Sequence, residues 1–320
     1  MKTVVSTDRI AAVELLRNGN VVALPTETVY GLASKALDSA AVAKIFEAKD
    51  RPRFNPLIVH LPNREALGRI VDVPAGDRQL IHNLADSFWP GPFTMVLPKC
   101  GIVPDIATAG LDTVAVRLSA HPVFAAIVGE LDEPLAAPSA NRFGRISPTT
   151  AHHVLHELDA RIPLIIDGGP TEHGIESTVV AVRNSKIAIL RRGPITREQL
   201  LAFAEVSSVV GTPIISSPGQ LPSHYAPKTP LRLVDNPEAL LPENGQRVGL
   251  LAWNRAQHPQ AFAAVRILSD RADLREGAAN LFRYLRELDA LGLDLIIAER
   301  VPSPGLGAAI MDRLERASHQ

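Results

Sequence analysis

Cations, hydroxyls and amides recur in this sequence at places where apolar runs end, and together they could hold an anion. Lys49, Arg51 and Arg53 alternate along Lys49-Asp50-Arg51-Pro52-Arg53, with Asn55 close behind. Arg117 stands inside the apolar run Val114-Ala115-Val116-Arg117-Leu118, and Leu190-Arg191-Arg192-Gly193 places two more cations at a strand end. Pro25-Thr26-Glu27-Thr28 gathers hydroxyls and one carboxylate directly after the apolar residues 21–24. Pro138-Ser139-Ala140-Asn141 and Glu176-Ser177-Thr178 repeat the theme at two further strand ends. Arginine offers a planar, bidentate fork and lysine a point charge, and a shielded charge-assisted hydrogen bond is worth about 1.5–3 kcal/mol. Each group also has a plain reading. Cations at a helix end complement its dipole. Pro, Ser and Asn favour ordinary turns. Arg117 in an apolar strand needs a carboxylate, from the protein or from a ligand. Jointly the groups favour a pocket for a polyanion and a small polar ligand.

Other chemistries find less support. No Gly-x-x-x-x-Gly-Lys-Ser/Thr stretch occurs, so a P-loop is excluded. Gly305-Leu306-Gly307-Ala308-Ala309 resembles the start of a dinucleotide fingerprint but lacks the third glycine and the paired acid, so a tight turn at a helix start is the better reading. His152 and His156 have the spacing of a metal pair, without a supporting Glu or Cys, and read as an exposed helix face. The single Cys100 rules out an intrachain disulfide framework and a cysteine zinc cluster. No nucleophile with an adjacent base is visible, so positioning and charge neutralisation are the expected means of catalysis.

The elements that must present these groups alternate. Helices are predicted over 8–18 with Ser6 or Thr7 as cap, 40–48 capped by Asp38 or Ser39, 63–71 capped by Asn63, 76–88, 122–131, 148–158 and 196–204 capped by Thr196. Strands are predicted at 21–24, 57–61, 93–97, 113–118, 135–137 and 162–166. A hairpin is predicted from 177–182 and 187–190 around Asn184-Ser185. This is an α/β pattern whose hairpin makes the sheet mixed. The proline- and serine-rich residues 206–230 read as a linker. Beyond it, strands at 231–234, 248–253, 265–268 and 295–298 alternate with helices near 237–241, 272–291 and 307–317, a small parallel α/β domain. The expected division is a catalytic domain 1–205, a linker or lid 206–230 and a C-terminal domain 231–320.

With 33 basic against 34 acidic residues, the chain lacks the excess of a general nucleic-acid binder. No run approaches the about 18 apolar residues of a membrane span, and Met1-Lys2 leads into mixed polar residues without the apolar core of a signal peptide. The expectation is a cytoplasmic protein with no membrane partner.

These motifs, in this order, resemble the YrdC-like threonylcarbamoyl-adenylate synthases. The stretches that carry the likeness are Pro25-Thr26-Glu27-Thr28-Val29-Tyr30-Gly31-Leu32, Lys49-x-Arg51-Pro52 with Asn55-Pro56-Leu57, Trp89-Pro90-Gly91-Pro92, Val114-Ala115-Val116-Arg117, Pro138-Ser139-Ala140-Asn141 and Glu176-Ser177-Thr178. Ser223-His224-Tyr225-Ala226-Pro227 and Gly305-Leu306-Gly307-Ala308-Ala309-Ile310-Met311-Asp312-Arg313 resemble the longer, two-domain members. The resemblance implies an open, twisted mixed sheet around a deep cationic cavity, with a small Rossmann-like C-terminal domain. It implies a nucleotidyltransferase that makes L-threonylcarbamoyl-adenylate and pyrophosphate from L-threonine, bicarbonate and ATP, with Mg2+ bound along with the ATP. The product would pass to a separate threonylcarbamoyl transferase for tRNA modification. Carried over by position, Thr28, His60, Arg117 and Ser177 correspond to threonine contacts. Arg51, Asn55, Thr113, Ser139, Ser147, Arg191 and Tyr225 correspond to ATP contacts, Tyr225 as a lid. Lys49, Arg51, Ser139 and Asn141 are the set on which activity is expected to depend. The chain departs from the pattern at Asp50, where glycine is common, at Arg192, where proline often follows the arginine, and at Ala137, where some members have a hydroxyl. The alternatives are an RNA-binding module using the same cations, and a carbamoyl-transfer domain like that of hydrogenase-maturation enzymes, whose acylphosphatase and zinc-finger parts this chain lacks.

Overall fold

Short runs of branched and small apolar residues build the strands, and polar caps start the helices between them. The computed structural model describes residues 2–208, 225–237, 240, 242 and 245–319. They fall into two units. The first is Met1–Phe143, Pro148–Thr171 and Glu176–Leu221, and the second is Gly144–Ser147, Glu172–Ile175 and Pro222–Gln320.

In the first unit the strands are β1 (Val4–Ser6), β2 (Val22–Leu24), β3 (Gly31–Lys35), β4 (Ile58–His60), β5 (Phe93–Pro98), β6 (Thr113–Arg117), β7 (Leu135–Ala136), β8 (Leu164–Ile166), β9 (Thr178–Arg183), β10 (Lys186–Arg191) and β11 (Val206–Ser208). They form one open sheet in the order β1-β8-β2-β3-β7-β4-β6-β5-β9-β10-β11. Parallel pairs such as β4 with β6 alternate with antiparallel ones such as β5 with β6, so the sheet is mixed as expected. Where β2 and β3 pair, alternate residues enter different apolar clusters. Ala23 and Leu32 join Ile45 and Phe93, while Leu24 and Ala33 join Leu16 and Phe124. The middle of the sheet is therefore covered on both faces, which fits near-continuous apolar strands.

The helices of this unit are α1 (Arg9–Arg17), α2 (Ser39–Lys49), α3 (Leu67–Ile70), α4 (Arg78–Phe88), α5 (Asp105–Thr108), α6 (Pro122–Leu131), α7 (Ala151–Leu158) and α8 (Arg197–Leu200). Several differ from the sequence expectation. Asp8, not Ser6 or Thr7, caps α1, accepting from the backbone of Ile10 at 2.9 Å. The helix expected at 63–71 is one turn, although Asn63 does accept from the Ala66 backbone at 2.9 Å. Helix α7 begins at Ala151 behind Thr150, because the Pro148 carbonyl is taken by the Tyr30 backbone at 2.9 Å. Thr196 caps as predicted, with Gln199 completing the box, but α8 stops after a turn. Strand β3 was not predicted. Residues 206–208 leave the expected linker to pair with β10. The rest of that linker through residue 224, including Ser223 and His224, and most of the helix expected at 237–241 lie outside the described residues.

The second unit carries β12 (Leu231–Val234), β13 (Val248–Ala252), β14 (Ala264–Ile267) and β15 (Leu295–Glu299), all parallel in the order β12-β15-β13-β14. Helix α9 (Leu274–Asp289) starts on Asp273, and α10 (Gly307–Ser318) follows β15. The glycines that resembled a dinucleotide fingerprint have a packing reason. Gly305 has φ +60°, and a Cβ on Gly307 would fall 1.7 Å from the Pro302 carbonyl oxygen. Among the described residues no helix is long and apolar enough to cross a membrane.

Candidate active site

Motifs of the first unit meet at the middle of its sheet. Parallel pairing of β4 and β6 sets His60 opposite Arg117, and antiparallel pairing of β5 and β6 sets Thr94 opposite Arg117. Thr94 Oγ1 lies 2.8 Å from Ser177 Oγ. Arg191 donates from Nη2 to Ser177 Oγ at 3.1 Å and from Nε to the Ser177 carbonyl at 3.1 Å. His60, Arg117, Thr94, Ser177 (just ahead of β9) and Arg191 thus form one strip across the five neighbouring strands β4, β6, β5, β9 and β10, and all five are buried.

Arg117 is fully engaged along one side. Its Nε donates to the Gly91 carbonyl at 3.2 Å, so the Trp-Pro-Gly-Pro turn serves to hold it. Its Nη1 donates to Thr28 Oγ1 at 3.0 Å and its Nη2 to Glu27 Oε1 at 2.6 Å. The carboxylate that its burial demanded therefore comes from the protein, and no ligand is needed to account for the charge. Ser119 donates to the other oxygen of Glu27 at 2.5 Å. Burial alone would raise the Glu27 carboxyl, but Arg117 and Ser119 together bring it down to about 2. Thr26 donates its hydroxyl to the Val29 carbonyl at 2.6 Å, so in the 2.8 Å pair between Thr26 and Thr28 the proton comes from Thr28. Toward a ligand, Thr28 can then offer a lone pair and no proton. His60 stacks obliquely on Phe124 with 4.7 Å between ring centroids. Burial, then the Arg117 charge, lowers its pKa to about 3, so its ring is neutral.

A second group lies beside the first through the loop 138–141. This loop is strung on β3. Leu32 N donates to the Pro138 carbonyl at 2.8 Å, Ala140 N donates to the Tyr30 carbonyl at 2.7 Å, and Gly31 bridges Ser139. Lys49, the last residue of α2, is buried and donates from Nζ to the carbonyls of Ser139 and Asn141. Burial, and then the charge of Arg51, pushes its ammonium well below the usual lysine range. Lys49 is thus first a brace for the loop, and an ammonium holding two carbonyls has one donor left. Arg51 donates to the carbonyls of Asn55 and Pro56, the latter at 2.9 Å. Arg53, the third cation of that cluster, is exposed and takes no part. Thr113 opens β6, the strand end opposite Arg117, on the side where β4 is preceded by Asn55 and Pro56.

Asn55 is 1% exposed with neither side-chain amide atom partnered in the protein, and His60 Nδ1 is likewise without a protein partner. Buried polar groups are rarely left so. Asp50 has φ +51° at the end of α2, which is why glycine suits this position; its carboxylate meets Arg161 at 2.9 Å and Arg142 at 3.2 Å. Arg192 is exposed while Arg191 is buried, so only Arg191 reaches Ser177. His152 and His156 are exposed on α7. Among the described residues no three His, Cys, Asp or Glu side chains converge on a metal position. Among the described residues there is thus no protein-built cage for a divalent cation. Ser147 and Tyr225 belong to the second unit. There Arg286 donates to the carbonyls of Ile146 and Ser147, and Tyr225 stacks on Phe282 at 5.4 Å with Arg313 over its ring at 5.1 Å.

Glu27, Ser119 and Thr94 were not singled out from the sequence. Glu27 had a signal, as the lone carboxylate in a hydroxyl run, whereas Thr94 and Ser119 had none beyond their place in or beside strands.

The chain is similar to known proteins along nearly its whole length. A family model described as telomere recombination, for the Sua5, YciO and YrdC proteins, matches residues 14–193, and a model described as the threonylcarbamoyl-AMP synthase C-terminal domain matches 195–319. The threonylcarbamoyl-AMP synthase of Pyrococcus abyssi is 41% identical over 97% of this chain and 93% of its own length. That of Bacillus subtilis is 42% identical over 96% and 92%. The crystal structure of P. abyssi Sua5 complexed with L-threonine matches with a TM-score of 0.89 at 38% identity, covering 99% of this chain and 98% of that one.

Proposed function

The chain belongs to the Sua5/YciO/YrdC family, and from this we infer that it makes L-threonylcarbamoyl-adenylate and pyrophosphate from L-threonine, bicarbonate and ATP. The observation that carries the reading is the match to the P. abyssi synthase along nearly the whole of both chains. An RNA-binding module or a carbamoyl-transfer domain would not account for so complete a likeness.

In this reading the carboxylate of threonine meets Arg117, and its amino group meets Thr28, which can only accept. Ser177, held by Thr94 and Arg191, and the neutral ring of His60 line the same strip. The neutral amine attacks bicarbonate, with a C–O bond breaking to release water, or attacks the CO2 derived from it, with release of a proton, and a carbamate forms. A carbamate oxygen then attacks the α-phosphorus of ATP, and the bond to the β-phosphate breaks to release pyrophosphate. Arg51, Asn55, Thr113, Arg191 and the loop bearing Ser139 and Asn141 would receive the nucleotide, with Lys49 bracing the loop and lending its third donor. Ser147 and Tyr225 are assigned to the nucleotide on the same family grounds. Mg2+ bound to the phosphates would supply charge neutralisation. The chain's own contribution is to position reactants and to place cations where charge develops. A cytoplasmic setting, tRNA modification and hand-off to a separate transferase complete the reading.

The test is pyrophosphate release from ATP with bicarbonate, with and without L-threonine, and with Arg51→Ala as control. Release that depends on threonine and is lost in the variant is expected. Equal release without threonine would contradict the assignment.

A further inference from the structure

Arg117 and Glu27 form a closed pair within the protein. Both are buried, they lie 2.6 Å apart, and their charges cancel. Ser119 fixes the far oxygen of Glu27, and Gly91 and Thr28 fix two other edges of the guanidinium. Three of the five N–H donors of Arg117 are thus spent, and one remains on each terminal nitrogen. Those two donors remain for a carboxylate oxygen of a ligand.

A bare positive charge in such a place would take any carboxylate. The balanced pair behaves differently. A simple carboxylate approaching these donors also approaches Glu27, and like charges brought together in a buried site repel. An amino acid carries its own ammonium beside its carboxylate, so its positive end meets Glu27 with the favourable sign while Thr28 offers the lone pair. Rejection by an introduced repulsion is a general route to specificity. We propose that Glu27 is the specificity-determining partner of Arg117, and that it makes the site select a zwitterionic amino acid over simple carboxylate anions. The inference rests on the assignment of Arg117 to the threonine carboxylate.

The test measures equilibrium binding of L-threonine and of acetate to the full chain by calorimetry, so that it does not depend on turnover. Glu27→Gln keeps the shape and removes the charge. It should weaken threonine by about tenfold or more, roughly 1.4 kcal/mol, while acetate binds more tightly than to the wild type. General damage to the site would weaken both ligands, so the opposed directions are the signature. Glu27→Ala, which also removes the charge, should likewise weaken threonine while acetate binds more tightly, and it carries the test if Glu27→Gln does not fold. If the two ligands shift together, or neither shifts, the inference is overturned. Arg117→Gln separates the two levels. Unchanged threonine binding there overturns the assignment of Arg117 itself. Lost threonine binding there, with an unchanged threonine-to-acetate ratio in Glu27→Gln, overturns only the role of Glu27.

Discussion

Arg117 and His60 show what single residues do in this site, because both are ionisable and both are shut away from water. Arg117 is paired with Glu27, whereas His60 gives its charge up. The His60 pKa falls from 6.5 to about 3. Between those values the unfolded chain binds a proton that the folded chain does not. Stability is therefore complete above about pH 6.5 and declines as pH falls toward 3. Glu27, lowered from 4.5 to about 2, adds a loss of the same sign at lower pH. Replacing His60 by Gln removes the first window only. The thermal midpoint of His60→Gln should accordingly change less than that of the wild type between about pH 7 and pH 5. Identical pH dependence in the two proteins would show that His60 is not held neutral. From the sequence, the need of Arg117 for a carboxylate was legible. Its supplier was not, because Glu27 lies 90 residues away and only the pairing of strands brings the two together.

Elements place these residues, and here the sequence was read unevenly. Strands of branched residues, such as β6, and helices with clear caps, such as α2 and α6, were found nearly in register. Strand β3 was missed. Gly31-Leu32-Ala33-Ser34-Lys35 has weak strand propensity and no alternation, and it is a strand only because both of its edges are paired and all but Lys35 are buried. It is also the strand on which the loop 138–141 hangs, so missing it hid the link between the two halves of the site. A similar constraint operates at the start of β9. Gly193 packs so closely there that a Cβ would lie 2.4 Å from Thr178 N and 2.6 Å from the Glu176 carbonyl oxygen. Backbone would have to move on either side of Ser177. Gly193→Ala should cost about 1–3 kcal/mol, read as a lower urea midpoint, and should weaken threonine binding as well. A variant with wild-type midpoint and affinity would refute this account of the turn.

At the scale of the whole molecule, the two sheets follow the two stretches of alternating pattern in the sequence, and six motifs spread between Pro25 and Thr178 come together on one sheet. Composition had little to say about function beyond exclusion, since near-equal charges hide the local gathering of Lys49, Arg51, Arg117 and Arg191. The order of the motifs said more, because only a fold that brings them together explains their joint presence. What the account claims of the molecule is one reaction that joins three substrates, and the product itself tests that claim most directly. Mass spectrometry of a mixture of the protein with ATP, L-threonine and carbon-labelled bicarbonate should reveal an adenylate that contains threonine and the labelled carbon, together with pyrophosphate. An adenylate of threonine without the bicarbonate carbon, or no adenylate at all from folded protein, would contradict the account.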